Sequence, residues 1–198
     1  RQRQMCIRDR YSTGKVTDKS EIGTYWWNEF QKAFNSAYED SFETQRKLEY
    51  ESLKKTIEYF NSTANAKELS DLMFAHWIKP PIFEESKQFF EMCPVPIYVV
   101  SNIDRDDVLK AIEYHGLKPN GIFTSEDAKS YKPRKELFQF ALNSTGLSAE
   151  QVVHIGDSLS SDIKGASAVG INAIWINRSK REIPNGVTAV ENLLEVYN

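Results

Sequence analysis

Cysteine is nearly absent: Cys6 and Cys93 are the two in 198 residues. Two so far apart make neither a disulfide framework nor a metal cluster, and such sparing use fits a reducing cytoplasm. No apolar run approaches the roughly 18 residues of a membrane span, and the N-terminal stretch lacks the apolar core of a signal peptide. Neither sign of charge dominates: 25 basic and 28 acidic residues leave a net charge of −3, which gives no reason to expect nucleic acid as a partner. There is no repeat and no low-complexity linker. The three histidines, His76, His115 and His154, lie far apart and lack the ligand spacing of a zinc site. What remains is the composition of a soluble enzyme, 40% hydrophobic, long enough for one α/β core and a small accessory domain.

The chain reads in two parts. From about Lys19 to Phe90 the apolar residues recur at helical steps. Trp27, Phe30, Phe34, Ala37 and Tyr38 make one stripe, Leu48, Leu53, Ile57 and Phe60 a second, and Leu69, Leu72, Met73 and Trp77 a third. Pro80-Pro81 closes this region. Tyr25, Trp26 and Trp27 cannot share one helix face, so at least one must reach the surface or a cleft. From Val95 onward, short strands alternate with helices: Ile97 to Val100, Ile122 to Thr124, Val152 to Ile155 and Ala173 to Ile176. That alternation predicts a right-handed parallel sheet, hence an α/β fold.

The informative stretch is His154-Ile155-Gly156-Asp157-Ser158-Leu159-Ser160-Ser161-Asp162. A strand runs into a Gly-Asp turn and a helix, with a second acid in the first helical turn. Open parallel sheets put their ligand sites at such strand ends. Two carboxylates beside a helix start suit a Mg2+ ion shared with a phosphate. Alternatively, Asp157 and Asp162 merely cap and charge the helix. Taken alone, the stretch leaves the two readings level. Ser158 is not a nucleophile elbow, having no flanking glycine pair, and is expected to cap the helix. His154 is expected to be a packed, hydrogen-bonded imidazole.

Two upstream segments add to it. Pro96-Ile97-Tyr98-Val99-Val100 is a buried-type strand ending in the hydroxyl and amide of Ser101 and Asn102. Asp104 can cap the next helix, Arg105 to Tyr114, which Gly116 ends. In Ser130-Tyr131-Lys132-Pro133, Pro133 fits a first helical position. That leaves Lys132 on the preceding loop, within reach of the same crevice.

A hydroxyl, a lysine and two acids, in that order at strand ends, resemble the haloacid dehalogenase-like (HAD) hydrolase superfamily, phosphatase type with a helical cap. The resemblance covers residues 90–178 by motif. It implies a Rossmann-like parallel sheet in 91–198 and an inserted cap in 11–90, closing over the crevice on two hinges. It implies that Ser101, Asn102 and Lys132 bind the phosphoryl group, that Lys132 also serves catalysis, that Asp157 and Asp162 hold Mg2+, and that Ser158 supports them. The implied activity is hydrolysis of a small phosphorylated metabolite through an aspartyl-phosphate, by a monomer or homodimer without nucleic-acid or membrane partners. A non-catalytic binding or regulatory protein is the second reading. A metal-independent dehalogenase is the third, disfavoured because those enzymes lack the Gly-Asp-x4-Asp pair.

One family signature is missing. A D-x-D-x-T/V segment, whose first Asp is the nucleophile, should end a strand ahead of the helical region, and no such segment is there. Asp9, in Ile7-Arg8-Asp9-Arg10, follows no buried strand and has no second acid two residues on. Residues 1–10, with four arginines, resemble translated sequencing adapter more than a natural basic arm. The chain is therefore expected to be truncated, without its first, central strand, and inactive as it stands.

Overall fold

The computed structural model describes residues 18–197. The expectations for residues 1–10, Asp9 included, and for the start of the cap lie outside the described residues. Four helices fill the region read as helical: α1 Lys19–Ser36, α2 Gln45–Tyr59, α3 Ala66–Trp77 and α4 Glu84–Met92. Polar side chains start three of them by taking up orphan backbone donors. Asp18 accepts from the Ser20 N–H at 2.8 Å, Thr44 from Lys47 at 3.3 Å and Asn65 from Lys67 at 2.9 Å.

Helical periodicity then decides which side chains meet. Ile22, Trp26, Leu53, Leu69, Met73, Phe74 and Trp77 form one buried cluster. Trp26 is fully buried, whereas Trp27 turns outward, as three successive aromatics on a helix require. The third stripe differs from expectation. The buried arc of α3 runs through Leu69, Ser70, Met73, Phe74 and Trp77. Leu72 and His76 fall outside that arc and are exposed.

Five strands follow: β1 Tyr98–Ser101, β2 Gly121–Thr124, β3 Val153–Gly156, β4 Asn172–Ile176 and β5 Thr188–Val190. Every pairing among them is parallel. Among the described residues they make two sheets, β1–β2 and β3–β4–β5, with no pairing of β1 to β3. Between the strands run α5 Arg105–His115, α6 Ser125–Ala128, α7 Lys135–Thr145 and α8 Lys164–Ser167, the last preceded by a π turn, Leu159–Ile163. Gly116 ends α5 in the left-handed region at φ 68°, where glycine meets no Cβ penalty. Pro133 does not open a helix: α7 begins at Lys135, with Arg134 as its cap residue.

The two sheets share a core. Phe138 of α7, Ala166 of α8 and Ile171 form a buried cluster against which Val100 of β1 and Ala173 of β4 both pack. A Cβ on Gly165 would lie 2.5 Å from the Phe138 ring, so glycine there lets α8 approach α7. This shared core brings the carboxyl ends of β1 and β3 to one side of the molecule.

Candidate functional site

Tyr131 fixes the segment that bears the lysine. It is buried, and its ring packs against Phe34 and Phe42 at centroid distances of 4.2 and 5.1 Å. Its hydroxyl donates to the Glu43 carbonyl at 2.7 Å. Burial, with the Asp104 charge adding to it, pushes the Tyr131 hydroxyl far above its usual pKa. Glu136 adds a second tie, accepting from Ser130 at 2.9 Å and from the Tyr38 hydroxyl at 3.0 Å.

Asn102 fixes the next residue. Its side chain accepts from the Lys132 N–H at 2.7 Å and donates to the Lys132 carbonyl at 3.1 Å. The loop after β1 is thus clamped to the loop before α7. The Lys132 ammonium donates to the Val100 carbonyl at 2.9 Å and to Asp162 Oδ1 at 2.6 Å.

Asp162 is the hub. Its Oδ1 meets Lys132 and, at 3.1 Å, His154 Nε2, and its Oδ2 accepts from the Ser158 N–H at 3.0 Å. Burial works to raise the Asp162 carboxyl, but the His154 hydrogen bond and the Lys132 charge outweigh it and hold the group well below the usual carboxylate range. Gly156 makes room for it: a Cβ there would lie 2.3 Å from Asp162 Cγ. His154 packs edge-on against Phe138 at 5.0 Å, so it is the packed, hydrogen-bonded imidazole expected.

Asn102, Lys132 and Asp162 are therefore linked directly, and Ser101 stands next to Asn102 at the end of β1. Ser101 Oγ accepts from the Ile103 N–H at 3.0 Å. Ser101 also borders a cavity of about 330 Å3 walled by Trp77, Pro81, Ile103 and Val108, between the helical region and the core. Ser158 caps the π turn, accepting from the Ser161 N–H at 3.0 Å. Asp157 stands apart from this network. Its carbonyl accepts from Trp175 Nε1 at 3.0 Å, while its carboxylate is exposed and lines a separate opening. Among the described residues, no three acid, histidine or cysteine side chains converge as a metal cluster.

Asp104 has a partner that sequence reasoning missed. It does not cap α5, whose Arg105 N–H donates to Glu126 at 2.6 Å instead. Its buried carboxylate accepts from the Gln45 and Arg46 N–H groups, at 2.7 and 2.8 Å, and so caps α2 from across the fold. Burial raises its pKa against those two bonds. Asp107, fully buried, takes the Arg46 guanidinium in a two-pronged pair at 2.7 and 2.5 Å. These partners lie about sixty residues apart, so no local spacing signals them. Asp107→Asn is expected to cost about 2 kcal/mol, since a charge-assisted fork is lost from a buried site. Urea unfolding reads it directly. A midpoint equal to that of the parent would show that α2 docks without this pair.

The sequence profile described as Haloacid dehalogenase-like hydrolase matches residues 11–176. The HAD-hydrolase YfnB of Bacillus subtilis is 35% identical over 108 residues, which is 52% of this chain and 46% of that protein. Phosphoserine phosphatase of Thermus thermophilus is 24% identical over 123 residues, 59% of this chain and 49% of that one. By sequence the chain thus spans just under half the length of these curated relatives. In the solved structures, YfnB superposes with a TM-score of 0.74 at 22% identity, covering 98% of this chain and 86% of that one. An L-2-haloacid dehalogenase, PA0810, reaches 0.77 at 14% identity, covering 98% and 92%. These likenesses show the fold, an α/β core of Rossmann type with a helical region ahead of it. With the profile matched over most of its length, this chain belongs to the haloacid dehalogenase-like hydrolase family.

Proposed function

We propose that the chain carries the phosphate- and metal-binding apparatus of a Mg2+-dependent phosphatase of small phosphorylated metabolites. The observation that carries this reading is Lys132, whose backbone is clamped by Asn102 and whose buried ammonium donates to the Val100 carbonyl and to Asp162. Lys132, the Ser101 hydroxyl and the Asn102 amide would hold phosphate oxygens and offset their charge. Residues 11–90, which hold α1 to α3 and most of α4, would be the cap, with 91–198 as the core. Two relatives support the substrate class by name: phosphoserine phosphatase and the glyceraldehyde 3-phosphate phosphatase of Methanocaldococcus jannaschii.

The donor set fits Mg2+. A carboxylate offers about four acceptor positions, and Asp162 uses three. Asp157 keeps its whole carboxylate open. Both acids could therefore hold a hard cation, with Ser158 steadying Asp162, and YfnB has been crystallised with magnesium. Such an ion would neutralise phosphate charge. Two cysteines in the chain support a cytoplasmic setting.

In the full reaction an aspartate attacks phosphorus, the leaving oxygen departs with a proton, and water then cleaves the aspartyl-phosphate. No D-x-D segment precedes the helical region in this sequence. The 198 residues are accordingly expected to bind phosphate and to show no turnover of p-nitrophenyl phosphate with Mg2+. Lys132→Met should abolish phosphate binding, and Ser101→Ala should weaken it about three- to tenfold, one hydrogen bond being removed. Titration calorimetry checks both. Turnover would point to another nucleophile, and binding indifferent to both substitutions would sink the phosphate site.

A further inference from the structure

We propose that the cavity beside Asp157 is a second anion subsite, built on Arg181 and Lys164, for a carboxylate or phosphate group of a small metabolite. The inference rests on the phosphatase reading for its assignment to substrate, but the subsite stands on its own geometry. The cavity measures about 590 Å3 and lies where β3 gives way to the π turn, bounded on its far side by the loop after β4. Its charged lining residues are Lys164, Arg181 and Asp157. Two cations against one carboxylate leave it net positive. The hydroxyl-bearing Ser158 and Ser160 line it as well, beside the apolar Leu159, Ile163, Pro184 and Val187, so polar groups for an oxyanion stand next to a surface for the carbon skeleton of a metabolite.

Arg181 is held in place from two sides. Its N–H donates to Asn177 Oδ1 at 2.9 Å, and its carbonyl accepts from Asn177 Nδ2 at 2.8 Å. Its guanidinium lies 4.8 Å from the centroid of the buried Trp175 ring. The same indole donates to the Asp157 carbonyl. One buried ring therefore sets the spacing between the candidate metal ligand and the guanidinium.

The two cations also differ from many basic residues around them. Lys132, Arg46, Arg105, Arg178 and Lys180 each have a carboxylate partner within 4 Å. Neither Arg181 nor Lys164 forms an ion pair among the described residues. A guanidinium that is stacked on a buried ring, unpaired, and lines the same cavity as a lysine is a ready receptor for a planar or tetrahedral oxyanion. A substrate with its phosphate at Ser101 and Lys132 could extend past Asp157 and place a second anionic group here. The inferred class is a metabolite with two anionic ends, a phosphorylated acid or a bisphosphate.

Titration calorimetry of the full chain with Mg2+ tests this, using glycerol 3-phosphate, 3-phosphoglycerate and inorganic phosphate. 3-Phosphoglycerate is expected to bind about tenfold more tightly than glycerol 3-phosphate, a typical gain for one charge-assisted contact. Arg181→Gln should erase that difference while leaving glycerol 3-phosphate unchanged, and Arg181→Lys should restore part of it. One equivalent of 3-phosphoglycerate assigns the subsite to the far end of substrate. Two equivalents of inorganic phosphate, one lost in Arg181→Gln and the other in Lys132→Met, assign it to a separate anion. Equal affinities for the two organic phosphates, with no phosphate equivalent sensitive to Arg181, overturn the subsite while leaving the phosphatase reading intact. Arg181-dependent phosphate binding that is indifferent to Lys132 and Ser101 upholds the subsite and overturns that reading.

Discussion

Replacing Gly156 with alanine is expected to destabilise the chain by about 3–5 kcal/mol and to abolish phosphate binding. The added methyl would lie 2.3 Å from Asp162 Cγ and 2.4 Å from its Cβ, closer than real carbon contacts allow. Overpacking a tight interior costs about 1–3 kcal/mol. The larger effect is indirect. Asp162 must move, and it cannot move without leaving Lys132 short of its carboxylate. Breaking a buried ion pair costs a few kcal/mol because one charge stays in the protein without its partner. A comparison at Gly23 isolates the cause. Gly23 lies inside α1, and a Cβ there meets nothing within 4 Å. Gly23→Ala should therefore stabilise by about 0.5–1 kcal/mol, through helix propensity alone. Urea unfolding of both variants, with phosphate titration of the first, settles the matter. A Gly156→Ala protein as stable as the parent would mean that Asp162 is not held where the structure puts it.

How much of this could be read from sequence follows from how local each signal is. The helices of the first part were legible because apolar spacing is a property of neighbouring residues. Trp26 in and Trp27 out follows from 100° per residue alone. The edges were less legible: β1 was expected at Ile97 to Val100 and ends one residue later, at Ser101. β5 was not seen, since Thr188–Val190 is too short to show a period. Asp104 looked like a cap for the helix that follows it, as its position suggests. Its actual donors are on α2, and only the tertiary fold brings them there.

The candidate site shows the same division. Ser101, Asn102, Asp157 and Ser158 stand out in the sequence where a strand gives way to a loop, Lys132 on the loop ahead of a helix, and Asp162 in the helical turn that follows the Gly-Asp bend. The structure links Asn102, Lys132, Ser158 and Asp162 through direct hydrogen bonds, while the Ser101 hydroxyl accepts from Ile103 on its own loop and Asp157 stands apart. What the sequence could not show is the division of labour between the two acids. Asp162 stands four positions after Ser158, and the π turn that contains it folds the carboxylate back beneath the Ser158 N–H. Asp157 sits before that turn and faces the opening. One acid is consequently wrapped in donors and the other is free. The signal that might have told them apart is Gly156, whose missing side chain is the space Asp162 occupies.

Asp162→Asn is expected to cost about 3–5 kcal/mol at neutral pH, with a pH dependence that identifies the cause. The side chain keeps its size, so no cavity forms. What goes is the negative charge that compensates the buried Lys132 ammonium and accepts from His154. In the parent, the folded-state pKa of Asp162 lies below its unfolded value of about 3.9. Its contribution is therefore fully present above that unfolded value and is lost as the pH falls through the folded one. The gap in stability between parent and Asp162→Asn should accordingly be constant from pH 7 down to about 5, and should narrow below about 4. Guanidinium or urea melts across pH 3–7 measure it. A gap of the same size at pH 3 as at pH 7 would assign the loss to packing instead of charge. A gap near zero at pH 7 would show that Lys132 does not depend on Asp162 for its position.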